Sequence, residues 1–249
     1  MADALFEDPR LVATYDTFDG ARDDLDHYEA IVAELGARSV LDLGCGTGVF
    51  ARRLAARGLR VVGVDPAKAS IDWAAAQPGA EAVTWIHGDA TSLPDLAVER
   101  SVEFAFDAVT MTGNVAQVFL TDAELAAMLD GVRDALRPGG MFVFETRDPA
   151  KRAWIAWTRE QTYAVADVPG IGEVTTWCDL LSVEPPFVSF RWTNEYPDGV
   201  TVTSDSTLCF RGRDQVERAL DAHGFRVADV RDAPDRPGHE FVFLAERAS

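Results

Sequence analysis

Residues 40–48 read Val-Leu-Asp-Leu-Gly-Cys-Gly-Thr-Gly, with three glycines where a short apolar run gives way to a helical pattern. Glycines at such a junction let a ligand approach the backbone, and a helix N-terminus offers it unpaired N–H groups. An acid, Asp42, stands before the first glycine. It is awkward beside a pyrophosphate and well suited to an ammonium group. A dinucleotide fingerprint of the form G-x-G-x-x-G needs a third Gly or Ala where the helix packs on the strand. Gly44 and Gly46 fit that pattern, but the third position is Val49, which weakens the reading as a nicotinamide-dependent oxidoreductase. Two more acids close apolar runs: Asp65 before Pro66, and Asp89 before Ala90. A carboxylate there offers acceptor oxygens to ligand hydroxyl or amino groups. The local alternatives are a turn residue for Asp65 and a helix cap for Asp89.

The elements that must position these residues alternate along the first 147 positions. Helical spacing of Leu25, Tyr28, Ile31, Val32 and Leu35 predicts a helix over about 21–35, after an opening segment at 11–20. Strands are expected at 39–43, 59–64, 83–87, 104–111 and 141–145, and helices at about 49–57 and 68–77. Thr121-Asp-Ala-Glu124 reads as a capping box opening a helix that runs to Leu136, where Arg137-Pro-Gly-Gly140 stops it. Strands alternating with helices imply a mostly parallel sheet covered on both faces. Beyond Arg147 the pattern changes. Lys151–Thr158 suits one short helix, and 173–183, 187–196 and 200–210 read as antiparallel strands, the last two joined by a turn at Pro197-Asp-Gly199. A helix at 213–223 and strands at about 226–231 and 240–245 close the chain.

The motif Leu41-Asp-Leu-Gly-Cys-Gly-Thr-Gly48 resembles the first motif of the class I S-adenosylmethionine-dependent methyltransferases. Gly63-Val-Asp65, Gly88-Asp-Ala90, Phe106-Asp-Ala-Val109 and Leu136-Arg-Pro-Gly-Gly140 are similar to that family's later motifs, in its order and spacing. The resemblance implies an α/β, Rossmann-like, mostly parallel seven-stranded sheet with helices on both faces, plus a β-rich antiparallel insertion after the fifth strand. It implies S-adenosyl-L-methionine as cofactor. Asp42 and the Gly44-Cys45-Gly46 backbone would hold the methionine end, and Asp65, followed by Pro66, the ribose. Asp89 and the Ala90 N–H would meet the adenine, with Met111 beside the adenosine and sulfonium. One methyltransferase domain is expected over 1–249: an N-terminal helical cap (1–36), a cofactor-binding core (37–147), a β-rich lid (148–210) and a C-terminal completion of the core (211–249).

Methyl transfer from a sulfonium is an in-line displacement by an already activated donor, so alignment and exclusion of water carry most of the catalysis and no fixed catalytic motif is required. The family's amino-methylating signature, Asn/Asp-Pro-Pro-aromatic after the fourth strand, is replaced here by Thr112-Gly-Asn-Val-Ala-Gln117, which argues against DNA-adenine methylation. Residues expected to line an acceptor pocket are Tyr15 and Tyr28 from the N-terminal segment, Asn114 and Gln117 after the fourth strand, and Arg147, Trp154 and Trp157 after the fifth. Arg147 suits an anionic acceptor group, and equally a pairing with Glu145 or a surface acid. The rings of the insertion suit a sheet core as well as a lid. None of the four histidines is set apart as a base, and Cys45 has no neighbouring base or cation in sequence to activate it.

The chain has 249 residues, 47% hydrophobic and 26% charged, so it can bury a full core. A net charge of −18 opposes binding to a nucleic-acid backbone or an anionic membrane; the family resemblance implies a small-molecule acceptor as partner. Three widely spaced cysteines with no C-x-x-C predict neither a disulfide framework nor a metal site. The opening residues lack the basic and apolar regions of a signal peptide, and no run is long enough to span a bilayer, so a cytoplasmic location is expected.

Overall fold

The computed structural model describes residues 3–93 and 104–248. Two adjacent apolar runs build its centre. The first strand, β1 (Ser39–Leu43), is buried along its whole length, and β2 (Arg60–Asp65) along all but its first residue. Strands hidden on both faces pair in parallel and leave their ends as the only exposed parts. With β3 (Val83–His87), β4 (Phe106–Met111), β5 (Leu136–Arg147), β10 (Phe225–Arg231) and β11 (Glu240–Arg247) they form a seven-stranded sheet ordered β3-β2-β1-β4-β5-β11-β10. β1 to β5 run parallel, and β11 lies antiparallel between β5 and β10. The winding direction reverses between β1 and β4. The crevice outside the carboxyl ends of these two strands is where ligands bind in open α/β sheets.

Each face of the sheet packs on its own helices. On one, α3 (Leu25–Glu34) and α4 (Val49–Ala56) cover Val40, Val61, Ala108, Val143 and Val242. On the other, α6 (Asp122–Ala135) and α8 (Arg213–Ala222) cover Leu41, Val109, Phe142 and Phe243. The capping box expected at Thr121 is formed in both directions with Glu124. β5 starts five residues earlier than expected: Leu136 pairs with Phe106 and Met141 with Ala108, so Arg137-Pro-Gly-Gly140 bulges within the strand, with Gly139 at φ +73.

The second sheet, ordered β6-β7-β8-β9, contains β6 (Ala164–Val168), β7 (Gly172–Glu184), β8 (Phe187–Glu195) and β9 (Thr201–Cys209). β6 has no counterpart among the three strands expected there. The single helix expected at 151–158 is instead a pair of 3-10 turns, Pro149–Lys151 and Ala153–Ala156, followed by α7 (Arg159–Thr162). The N-terminal helices α1 (Ala4–Glu7) and α2 (Pro9–Asp19) join this sheet to the rest. The Ser204 hydroxyl accepts from Leu5 N at 2.8 Å, and the Ser206 hydroxyl donates to Asp3 at 2.5 Å. On the core side, the Ser70 hydroxyl, in α5 (Lys68–Ala75), donates to Phe6 O at 2.8 Å. The Thr47 hydroxyl donates to Asp16 at 2.6 Å, so α2 lies against the glycine loop. No helix among the described residues is long and apolar enough to cross a membrane.

Candidate functional site

The glycine loop between β1 and α4 is shaped by backbone that only glycine adopts easily: Gly44, Gly46 and Gly48 have φ of +74, +52 and +76. Their roles differ. A Cβ on Gly48 would overlap the Trp85 ring and Ala74, so this position lets α4 close on the sheet. A Cβ on Gly44 would stand 2.7 Å from a Val115 methyl, so it lets the loop after β4 close over the loop after β1. A Cβ on Gly46 would meet none of the described residues within 4 Å, so they leave the loop's backbone open there.

Asp65 holds this loop from the end of β2. Its two oxygens accept from Gly46 N and Ala67 N, both at 2.8 Å, and the residue is 6% exposed. Each oxygen keeps a further lone pair. Pro66 follows on the surface, its carbonyl 3.0 Å from a His87 ring nitrogen. Asp42, at the end of β1, is buried, and its Oδ1 accepts from the Thr110 hydroxyl at 3.0 Å. Burial pushes its carboxyl up to about 7, Thr110 pulls the other way, and nearby Asp65 adds to the rise. The Cys45 thiol is pushed well up by burial and by Asp65 and Asp42, which leaves it a small inert loop residue.

Asp89 is exposed and makes a local cap: Oδ1 accepts from Thr91 N, the Thr91 hydroxyl and Ser92 N at 2.6–3.0 Å. Ala90 beside it is buried against Gly131 of α6, and Met111 at the end of β4 is fully buried.

Across the crevice a second cluster gathers at the ends of β4, β5 and β11. Glu145 Oε1 accepts from Asn114 N at 2.8 Å, and the Tyr28 hydroxyl lies alongside the same carboxyl. Asn114 Nδ2 donates to Glu240 at 3.1 Å. Glu240 also accepts from Arg236 at 2.8 Å and lies 3.6 Å from Arg147 Nε. Arg147 donates from Nη1 to Gln117 Oε1 at 3.1 Å and stacks over Trp157, 5.6 Å from the ring centre. Trp157 in turn meets Phe190 of β8 edge to face at 4.6 Å. Burial pushes the Glu145 carboxyl up to about 7, with Glu240 adding to the rise and the Tyr28 and Asn114 hydrogen bonds opposing it. Among the described residues, three buried atoms here have no hydrogen-bond partner: Asn114 Oδ1, Gln117 Nε2 and Glu145 Oε2. Native structures leave few such atoms unpaired, and each costs about 1–3 kcal/mol, so three within one linked set of residues point to a ligand.

Asn114, Gln117, Arg147, Tyr28 and Trp157 are thus brought together. Tyr15 of α2 stands at the margin, its ring 5.5 Å from Phe6 and its hydroxyl in the field of Arg147. Trp154 does not join them. It packs edge to face on Phe210 at 4.7 Å, buried with Val188 and Leu208 in a core against whose margin Trp157 and Phe190 also pack. The pairing expected of Arg147 with Glu145 or a surface acid is instead made with Gln117 and buried Glu240.

Four residues of the site escape sequence reasoning: Glu145, Glu240, Arg236 and Arg22. Glu145 meets Glu240 and Arg236 only through packing of distant segments, whereas Glu240 and Arg236 lie four positions apart. Arg22, at φ +55 before α3, pairs with Asp19 at 2.9 Å and Asp24 at 3.0 Å and lies within the field of Asp42. A charged residue closing the apolar run Met141-Phe-Val-Phe is the one trace Glu145 leaves in sequence.

Residues 40–140 match the family model described as a methyltransferase domain. Among curated relatives, the cypemycin N-terminal methyltransferase of a Streptomyces species is 37% identical over 117 residues, covering 47% of this chain and 45% of the relative. A ubiquinone biosynthesis O-methyltransferase of Chromobacterium violaceum is 32% identical, covering 49% of this chain and 50% of its own. This chain therefore spans about half the length of these relatives. Among solved structures, the CcbJ methyltransferase of Streptomyces caelestis superposes with a TM-score of 0.74 at 21% identity, over 98% of this chain and 97% of its own. The amino pentose methyltransferase CalS10 of Micromonospora echinaspora, solved with S-adenosylmethionine bound, gives 0.66 at 22%, over 92% and 93%. At these identities the two structures bear on the fold.

Proposed function

We propose that the protein transfers a methyl group from S-adenosyl-L-methionine to a small-molecule acceptor, a reading supported by the match of residues 40–140 to a methyltransferase-domain model. The observation that carries the reading is the open backbone at Gly46, flanked by the buried acids Asp42 and Asp65 at the switch point of the sheet.

The residues fit that cofactor. Asp42 would take the ammonium of its methionine end: a carboxyl held up to about 7 by burial regains its charge when a cation arrives. Arg22, close enough to act on Asp42, would take the neighbouring carboxylate, and the Gly44-Cys45-Gly46 backbone would line the chain between. The remaining lone pairs of Asp65 would accept the two ribose hydroxyls, with Pro66 closing the rim. Ala90 N and the free side of the Asp89 turn would face the adenine, and Met111 would pack against the adenosine.

The bound cofactor supplies an activated methyl group on a sulfonium, so the protein's own work is alignment and exclusion of water. Tyr15, Tyr28, Asn114, Gln117, Arg147 and Trp157 would hold the acceptor in line, and the second sheet would act as its lid. The domain is read as one unit: a helical cap at 1–36, core at 37–147, lid at 148–210 and core completion at 211–249. A cytoplasmic location is in keeping with three unpaired thiols.

The test is to incubate the protein with S-adenosylmethionine carrying a deuterated methyl group and a panel of small acceptors, following both products by mass. One acceptor gaining the labelled methyl while S-adenosylhomocysteine accumulates is the expected result. Failure to bind the cofactor at all overturns the reading.

A further inference from the structure

We infer that the atom methylated is an amine nitrogen, received by Glu145 and Asn114; this rests on the methyltransferase reading above. Two acids and two arginines meet at the ends of β5 and β11, but both arginines attend Glu240: Arg236 at 2.8 Å and Arg147 at 3.6 Å. Glu145 has no arginine or lysine within ion-pair distance among the described residues. It faces Tyr28, the backbone N–H groups of Asn114 and Gly113, and the like-charged Glu240. Its Oε2 is left without a partner.

The amide orientations around it are fixed by their other contacts. Asn114 gives Nδ2 to a carboxylate, so the atom left over is the acceptor Oδ1; Gln117 receives an arginine on Oε1, so the atom left over is the donor Nε2. The cluster therefore presents two unused acceptors and one unused donor. A primary amine satisfies both acceptors with its two N–H bonds and keeps its lone pair for the methyl group. A hydroxyl has one hydrogen and would leave one acceptor unpaired; an anionic group would meet Glu145 with like charge. The unused Gln117 donor suits an oxygen elsewhere on the same molecule, and the Trp157–Phe190 pair gives an apolar wall.

The chemistry balances with these groups. The nitrogen lone pair forms the N–CH3 bond as the S–CH3 bond breaks and its electron pair stays on sulfur. The new ammonium then gives one proton to Glu145 Oε2, and from there to water. A carboxyl with a raised pKa returns that proton readily, in support of this role.

Two pairs of probes test this without turnover: benzylamine against benzyl alcohol, and glucosamine against glucose. Each is titrated into protein loaded with S-adenosylhomocysteine while the carboxyl carbon of Glu145 is followed by NMR. At least one amine is expected to shift the Glu145 resonance, and its alcohol partner is not. In Glu145→Gln the same amine should bind roughly tenfold or more weakly, the effect of losing a hydrogen bond to a charged group. S-adenosylhomocysteine affinity should be unchanged in that variant. The inference is overturned if alcohols perturb Glu145 as amines do, if no amine perturbs it, or if the variant keeps amine affinity. If S-adenosylhomocysteine does not load, it is the methyltransferase reading that fails. The amine–alcohol comparison uses the unaltered chain, so it stands even if the variant folds poorly.

Discussion

On the β1–β2–β3 side of the sheet, the polar site residues hold one another over short spans: Asp89 caps residues two and three positions on, and Gly46 reaches Asp65 across 19. On the β4–β5–β11 side the span grows to 126 positions between Asn114 and Glu240. The first side uses backbone N–H groups and carboxylates fixed by their own turns, which suits one invariant ligand. The second uses buried side chains from separate segments, roofed by a second sheet, which suits a ligand that differs from one protein to another. A site that recognises a common cofactor and a particular acceptor divides in this way because backbone contacts do not depend on neighbouring side chains, whereas pocket shape does.

The largest effect is expected at Gly48. Gly48→Val adds both a disfavoured φ and an overlap with Trp85, so a loss of about 3 kcal/mol or more is expected in denaturant unfolding. Little loss would mean that the loop is not held by this packing.

Asp65→Ala removes the acceptor for two backbone N–H groups as well as the proposed ribose contact. Affinity for S-adenosylmethionine should fall by about 1.5–3 kcal/mol, with a smaller loss of stability, read by calorimetry and by melting. Arg147→Ala should act on the other side alone: the KM for acceptor rises roughly tenfold while cofactor Kd stays within about twofold. If cofactor affinity falls equally, the two sides are one network.

The β4–β5–β11 side also carries a pH dependence. Glu145 carries a value raised to about 7 in the folded protein, so the stability it contributes is whole below the ordinary carboxylate range and is lost as pH rises through about 7. Glu145→Gln removes that contribution, so between about pH 5 and pH 8 the variant's Tm should fall less than that of the unaltered protein. Parallel curves would show that Glu145 does not titrate there. The smallest effect is expected at the Arg10–Asp198 pair, which joins α2 to the β8–β9 hairpin at 2.8 Å with both side chains about half exposed. Arg10→Ala should leave the denaturant unfolding midpoint unchanged within error, because an exposed pair gains little in water.

The same division decides what the sequence discloses. β1, β2 and β4 announce themselves, because strands buried on both faces of a parallel sheet are apolar runs bounded by glycine, proline and acids, and the Thr121 cap is written in four consecutive residues. β6 leaves no such mark: its five residues alternate in exposure at a sheet edge, a signal too short to separate from the loop before it. In the site, Asp42, Asp65 and the glycines are legible because loop chemistry is local. Glu145, Glu240 and Arg236 are not, because a charge at a strand end is ordinary until folding buries it. Trp154 and Trp157 lie three positions apart with the same sequence signal, yet one fills the core of the second sheet and the other backs Arg147. Only the turn between them decides which.

In the proposed function, the glycine loop and its two acids hold S-adenosylmethionine. Calorimetric titration of the unaltered protein and of Asp65→Ala, with S-adenosylmethionine and NADH in parallel, tests it most directly. Micromolar binding of S-adenosylmethionine alone, weakened roughly tenfold or more in the variant, is the predicted result. Binding of NADH, or an S-adenosylmethionine affinity indifferent to Asp65, would contradict it.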